Sequence, residues 1–323
     1  MAKSRQLEET LAALKQIADP TSEAAIAILR QVLNGRQNVA IAQASRVIRN
    51  AESHALIPNL VAAFNRCLVK PETTDPGCLA KKAIAETLYH LDYSEETLFL
   101  TGIRHVQMEP VWGGAEDTAP GLRGVCALGL VRMNYPQVLS ELADLLADPK
   151  AEARVGAARA IAYMNHPDAA PLLRLRVQLG DEPQVFSEYL LALLKLTPAQ
   201  SLPLVVRFLD PPSGSAFPHR TTEITEATAL ALGESRLPEA FEPLQRWWQR
   251  SRDPEQRRIA LLAIAMLRQD EPLAFLLTLV ATGITKDAKD AVAALGIYQQ
   301  DEVLWQRVRQ TVEQRDRGGD VTL

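Results

Sequence analysis

The chain reads as an all-α solenoid of about nine stacked antiparallel helix pairs. Three observations predict it: a small-residue helix segment that returns about every 32 residues, prolines that fall at matching places in each period, and a composition rich in Ala and Leu but only 5% aromatic. A helix pair alone leaves an apolar face that only a neighbouring pair can cover, so a repeat of this length implies a stack. Ala and Leu favour close helix packing, whereas sheets draw on β-branched and aromatic residues. With 323 residues and 47% hydrophobic content, material for a large core is ample.

The recurring segment is Ala127-Leu128-Gly129, Ala160-Ile161-Ala162, Ala231-Leu232-Gly233 and Ala294-Leu295-Gly296, with further copies around Ala192 and Ala263. From Ala127 the steps are 33, 32, 39, 32 and 31 residues, and the long step contains a Pro/Gly/Ser-rich insertion from Asp210 to Thr221. Small residues such as those of Val155-Gly156-Ala157-Ala158 belong where a first helix approaches its neighbours, and larger apolar residues fill the layers between. Pro136, Pro167, Pro198, Pro238 and Pro272 mark the turn inside a unit. Pro58, Pro171, Pro203 and Pro243 are expected early in the second helix, where a missing N–H costs little. Asp75-Pro76, Asp148-Pro149 and Asp253-Pro254 mark junctions between units, with Asp as the cap. Counting outward predicts pairs beginning roughly at residues 5, 38, 77, 120, 150, 182, 221, 254 and 286. The expected organisation is one continuous repeat domain over 1–314 and a disordered polar tail over 315–323.

The pattern resembles the HEAT-repeat family of the armadillo-like superfamily, in particular the short bacterial HEAT-like repeats also found in phycobilisome lyases. Glu152 to Leu173 and Thr225 to Leu244 carry the resemblance best: each is an alanine-rich helix, a short turn with proline and a leucine-rich second helix. The resemblance covers nearly the whole chain, and it implies a right-handed superhelix whose second helices line the concave side. It speaks for architecture and leaves function open, because no motif singles out the lyases.

Charge and cysteine content narrow the function classes. A formal charge of -4, with 35 basic and 39 acidic side chains spread along the chain, provides no field to gather nucleic acid or anionic lipid. Cys67, Cys78 and Cys126 are too scattered for a disulfide framework or a zinc motif and read as small buried hydrophobes. The N-terminus lacks the apolar segment of a signal peptide, and the longest apolar run, 273–281, is far shorter than a membrane span, so a cytoplasmic location is expected. None of the five histidines has the two-His spacing of a zinc hydrolase, and no nucleophile elbow or phosphate loop is present. No cofactor is predicted.

Candidate contacts fall in two places. Three connections, 69–77, 106–121 and 210–221, are longer than the fold requires and all join a second helix to the next first helix, so they should emerge from one edge. Trp112, on the glycine-flanked loop Val111-Trp112-Gly113-Gly114, either contacts a partner or folds back as a plug. Arg104 and His105 immediately precede the same connection, where His105 either joins a loop site or is structural, and Phe217 and Arg220 lie in the third. Glu109, Glu116 and Asp117 match no calcium-loop spacing and read as solvated or capping residues. The second place is an arginine ladder, Arg174, Arg207 and Arg246, at equivalent points of successive second helices and continued by Arg309 after an interruption at Thr278. It is either a solvated row or a stripe for acidic peptide or phosphate. Of the adjacent Trp247 and Trp248, helical geometry allows one packing position, which leaves Trp247 as a candidate contact; both packed between layers is the other reading. The expectation is a non-enzymatic scaffold that holds a protein partner with its concave second-helix face and long loops. The alternative is a cofactor-handling HEAT-like lyase or chaperone, and a nucleic-acid binder comes third.

Overall fold

A computed structural model describes residues 2–209 and 221–315 of the chain. They fall into two compact units, Met1–Met164 and Asn165–Leu323. In order along the chain the first unit holds α1 (Ala2–Lys15), α2 (Glu23–Leu33), α3 (Asn38–Asn50), α4 (Ile57–Cys67), the one-turn α5 (Pro71–Thr74), α6 (Leu79–His90), α7 (Glu96–Ile103), a β1–β2 hairpin (Met108–Val111 and Gly114–Asp117), α8 (Pro120–Arg132), α9 (Val138–Leu146) and α10 (Ala151–Met164). The second holds α11 (Ala170–Leu179), α12 (Pro183–Leu196), α13 (Pro198–Leu209), α14 (Thr222–Ser235), α15 (Phe241–Arg250), α16 (Pro254–Met266), α17 (Asp270–Thr282), α18 (Thr285–Leu295) and α19 (Glu302–Glu313). Among the described residues the chain is an all-α solenoid of successive helix pairs, and the pair starts lie within a few residues of the predicted ones. No helix among them is long and apolar enough to cross a membrane.

First helices stack on first helices: α3 on α6, α6 on α8 and α8 on α10 in one unit, and α12, α14, α16 and α18 in succession in the other. Small residues permit this. A Cβ built on Gly156 would stand 2.4 Å from the Gly124 Cα, and one on Gly233 would stand 2.4 Å from the Ala263 carbonyl oxygen, so backbone meets backbone at both crossings. Ala127 and Ala160 in the first unit, and Ala231 and Ala263 in the second, are fully buried on these first helices.

The junction aspartates work as caps. Asp253 Oδ1 accepts from the Glu255 N–H at 2.7 Å and starts α16, and Asp148 Oδ1 accepts from the Lys150 N–H at 2.8 Å ahead of α10. Pro58 and Pro171 sit in first turns as expected. Pro203 does not: α13 starts at Pro198 almost directly after α12, which leaves Pro203 inside the helix.

Candidate functional site

The connection predicted as a long loop over 106–121 contains a β-hairpin. Met108 pairs with Asp117, Glu109 with Glu116, Pro110 with Ala115 and Val111 with Gly114, around the two-residue turn Trp112-Gly113. Gly113 takes φ +91°, which a side chain would strain. The ladder continues to Gln107 and Thr118, whose N–H donates to the Gln107 carbonyl at 2.9 Å. Strand alternation puts Gln107, Glu109, Val111, Glu116 and Thr118 on one face and Val106, Met108, Pro110, Ala115 and, at the base, Asp117 on the other.

The polar face is bound to the body of the unit. Glu109 Oε1 accepts from the Gly77 N–H at 2.7 Å and from Thr118 Oγ1 at 2.8 Å, and Gln107 Nε2 donates to the Asp75 carbonyl at 2.8 Å. Two of the three long connections, 69–77 and 106–121, therefore share one edge, as their position between second and first helices predicted. The third, with Phe217 and Arg220, lies outside the described residues. Behind Gly77 a buried ion pair holds the first connection: Lys81 Nζ is 3.0 Å from Asp75 Oδ2, and both side chains are 0% exposed. The Asp75 carboxylate also accepts from the Ala80 and Lys81 N–H groups, at 2.8 and 2.9 Å, capping α6 from a distance.

At the hairpin base Arg123, from α8, joins Asp117 at 2.7 Å and Asp148 Oδ1 at 3.1 Å, and donates to the His105 carbonyl at 2.9 Å. Burial alone would raise the Asp117 carboxyl, but hydrogen bonds from Arg123 and from the Ala119 and Gln107 N–H groups outweigh it and hold the group below its usual range. Glu109 is likewise lowered: burial opposes the shift, and hydrogen bonds from Thr118, Gly77 and Gln107 prevail. A carboxylate with a depressed folded value stabilises above its unfolded value and loses that contribution as pH falls through the folded one. The hairpin base is thus expected to loosen below about pH 4, a model-compound carboxylate value. Amide exchange at Gly77 and Gln107 should accelerate there, beyond its intrinsic pH dependence, before helix content falls. Unchanged protection at both amides down to pH 3 would contradict this account.

With Gln107, Glu109 and Thr118 held inward, the outer part of the hairpin stands in solvent. Val106, Met108, Pro110 and Ala115 are exposed, Val111 is half exposed and Trp112 at the tip is 105% exposed. Trp112 is no plug; the network at the base, rather than the indole, anchors the connection. Composition had directed attention to Trp112, but the apolar face was missed. Its signal was present as the period-two alternation Val106, Met108, Pro110 against Gln107 and Glu109.

Arg104 and His105 stand at the foot of this edge. The Arg104 guanidinium pairs with Glu141 of α9 while keeping 65% of its side chain exposed. His105 is half-buried, with Nε2 3.3 Å from Gln107 Oε1, and burial lowers its pKa, so it supports the connection from inside. Glu116 is solvated, with Lys150 Nζ 3.8 Å away. The arginine ladder lies in the second unit: Arg174 on α11, Arg207 on α13 and Arg246 on α15 are each exposed, because their neighbours Leu173, Phe208 and Trp247 take the buried positions. Arg246 faces Glu242 one turn back at 3.7 Å. Trp247 must be withdrawn as a contact residue. It is 7% exposed and Trp248 8%: α15 is covered broadly enough to bury two adjacent directions, and Trp248 meets the Phe275 ring edge-on at 5.5 Å with Arg257 over its face at 4.4 Å. Cys67, Cys78 and Cys126 are buried thiols, and burial pushes Cys67 to about 11 and Cys78 to about 12.

Residues 113–194 match the family model of HEAT repeats. Among solved structures the chain is similar to the complex of CpcE and CpcF of phycocyanin lyase from Nostoc sp. PCC7120, at 18% identity over 77% of this chain and 93% of that one, with a TM-score of 0.38. It is also similar to a crystallised engineered protein, at 17% identity over 95% of this chain and 92% of that one, with a TM-score of 0.36. No curated protein matches the chain. Residues 113–194 therefore carry HEAT repeats by that match, and they lie within stacked helix pairs.

Proposed function

We propose that the protein is a non-enzymatic scaffold that holds a protein partner through the hairpin edge of its first unit. The observation that carries this reading is the inverted hairpin: the chain ties down a polar face with a buried network and leaves Val106, Met108, Pro110, Ala115 and a fully exposed Trp112 in water. Exposed apolar surface costs free energy, and a cluster on an ordered support is the usual form of a docking surface. Anchoring also removes much of the ordering entropy that a floppy loop would lose on binding. Arg104 borders the patch and provides the polar rim. Aromatic anchors with polar rims supply most of the energy of such interfaces.

The test is affinity purification from the native cell with mass spectrometry, run in parallel with wild type and Trp112→Ala. A stoichiometric partner should be recovered with wild type, and the substitution should weaken it by about 2 kcal/mol, roughly thirtyfold. Thermal stability should not change, since the indole packs against nothing that folding requires. A partner captured equally by both chains would move the interface elsewhere, and turnover of a metabolite by the purified protein alone would overturn the scaffold reading.

A further inference from the structure

The hairpin has two outer edges, and they are not equivalent. A two-residue turn makes Val111 and Gly114 a hydrogen-bonded pair; Glu109 with Glu116 and Gln107 with Thr118 are then bonded too, the last directly observed at 2.9 Å. The N–H and C=O groups of the alternate residues point away from the partner strand: Met108 and Pro110 on β1, Ala115 and Asp117 on β2. Pro110 has no N–H, and its ring projects where an incoming strand would lie, so the β1 edge is closed along its outer half. On β2 the base residue Asp117 is buried, whereas Ala115 is exposed, and a Cβ built on the neighbouring Gly114 would meet nothing within 4 Å. One edge is blocked and the other is open.

We infer that the β2 edge takes up an extended strand of the partner by backbone pairing at Ala115, with side-chain chemistry that alternates apolar and basic. This rests on the hairpin being the docking surface. Pairing opposite Ala115 places the partner residue there beside Ala115, on the face that β1 continues with Pro110, and its neighbour beside Glu116 on the other face. Glu116 faces its cross-strand counterpart Glu109, a like-charge pair, and its nearest cation is Lys150 at 3.8 Å. A lysine or arginine on the partner strand relieves that pair. Trp112, at the end of the strand, covers the next apolar residue.

The probe is a fluorescein-labelled hexapeptide of alternating valine and lysine, titrated onto the full chain and read by anisotropy. Saturable binding is expected, with slowed amide exchange at Ala115. Ala115→Pro removes the outward donor without touching the internal ladder and should weaken binding about fivefold, the loss of one backbone hydrogen bond. Ala115→Val, which keeps the N–H, should bind like wild type, and Trp112→Ala should lose about thirtyfold. Persisting protection of the Val111 and Glu109 amides in Ala115→Pro verifies that the hairpin is intact. If Trp112→Ala weakens the probe and Ala115→Pro does not, the apolar surface stands and strand addition falls. If neither matters, both readings fail. Absence of saturable binding, or equal binding of an alternating valine–glutamate peptide, overturns the assigned partner chemistry. A concentration-dependent dimer with Ala115 protected before any peptide is added would make a second copy the occupant and overturn it as well.

Discussion

Replacing Lys81 with Met is expected to destabilise the first unit by about 3 to 5 kcal/mol, the usual loss when one member of a buried ion pair is removed. Lys81 Nζ donates to Asp75 at 3.0 Å and to the Cys67 carbonyl at 3.2 Å, in a site where neither side chain reaches water. Methionine fills the volume but leaves the Asp75 carboxylate without its counter-charge. The same carboxylate caps α6 and holds the turn whose Gly77 N–H binds Glu109, so the damage should spread to the hairpin. Urea melts followed by circular dichroism would measure the first effect, and amide exchange at Gly77 the second. The double variant Asp75→Asn with Lys81→Met should lose clearly less than the two single losses added together, since it removes the uncompensated charge. A Lys81→Met chain with wild-type stability would mean that the pair contributes no net stabilisation.

A second large effect is expected at the crossing of α8 and α10. Gly156→Val should cost about 3 kcal/mol, because its Cβ would fall 2.4 Å from the Gly124 Cα and backbone cannot rotate away as a side chain can. The crossing is asymmetric: a Cβ on Gly124 would meet the Gly156 Cα at 3.1 Å. Gly124→Ala should therefore be nearly neutral, a few tenths of an ångström of helix shift being offset by the roughly 1 kcal/mol that alanine gains over glycine in a helix. Denaturation midpoints of the two variants, measured side by side, test the assignment, and equal midpoints would show that the helices separate freely there. Unlike Lys81→Met, neither substitution should accelerate exchange at Gly77, because this crossing holds the helix stack and not the loop edge.

The hairpin was only partly legible in advance. Trp112 between a valine and two glycines marks a turn with an aromatic at its tip, and the position of 69–77 and 106–121 between second and first helices puts both on one edge. Residues 108–111 and 114–117 nevertheless read as loop, since a proline and three acids in two four-residue segments go against strand propensity. Trp247 failed for a different reason. Helical geometry separates adjacent side chains by about 100°, but how much of that arc is covered depends on the helices packed around it.

The repeat and its helix pairs were determined by the sequence alone, because local periodicity governs them: an apolar and small-residue pattern of helical period, broken by proline and capped by aspartate, leaves few other ways to bury its faces. Which elements of the long connections pair with each other was decided only by tertiary structure. Glu109 reads as a solvated acid until Gly77, 32 residues upstream, donates to it. Lys81 is buried only because Asp75 and the Cys67 carbonyl enclose it. Such partners are matched by distance in space, and a hydrogen bond between distant segments leaves no period in the chain.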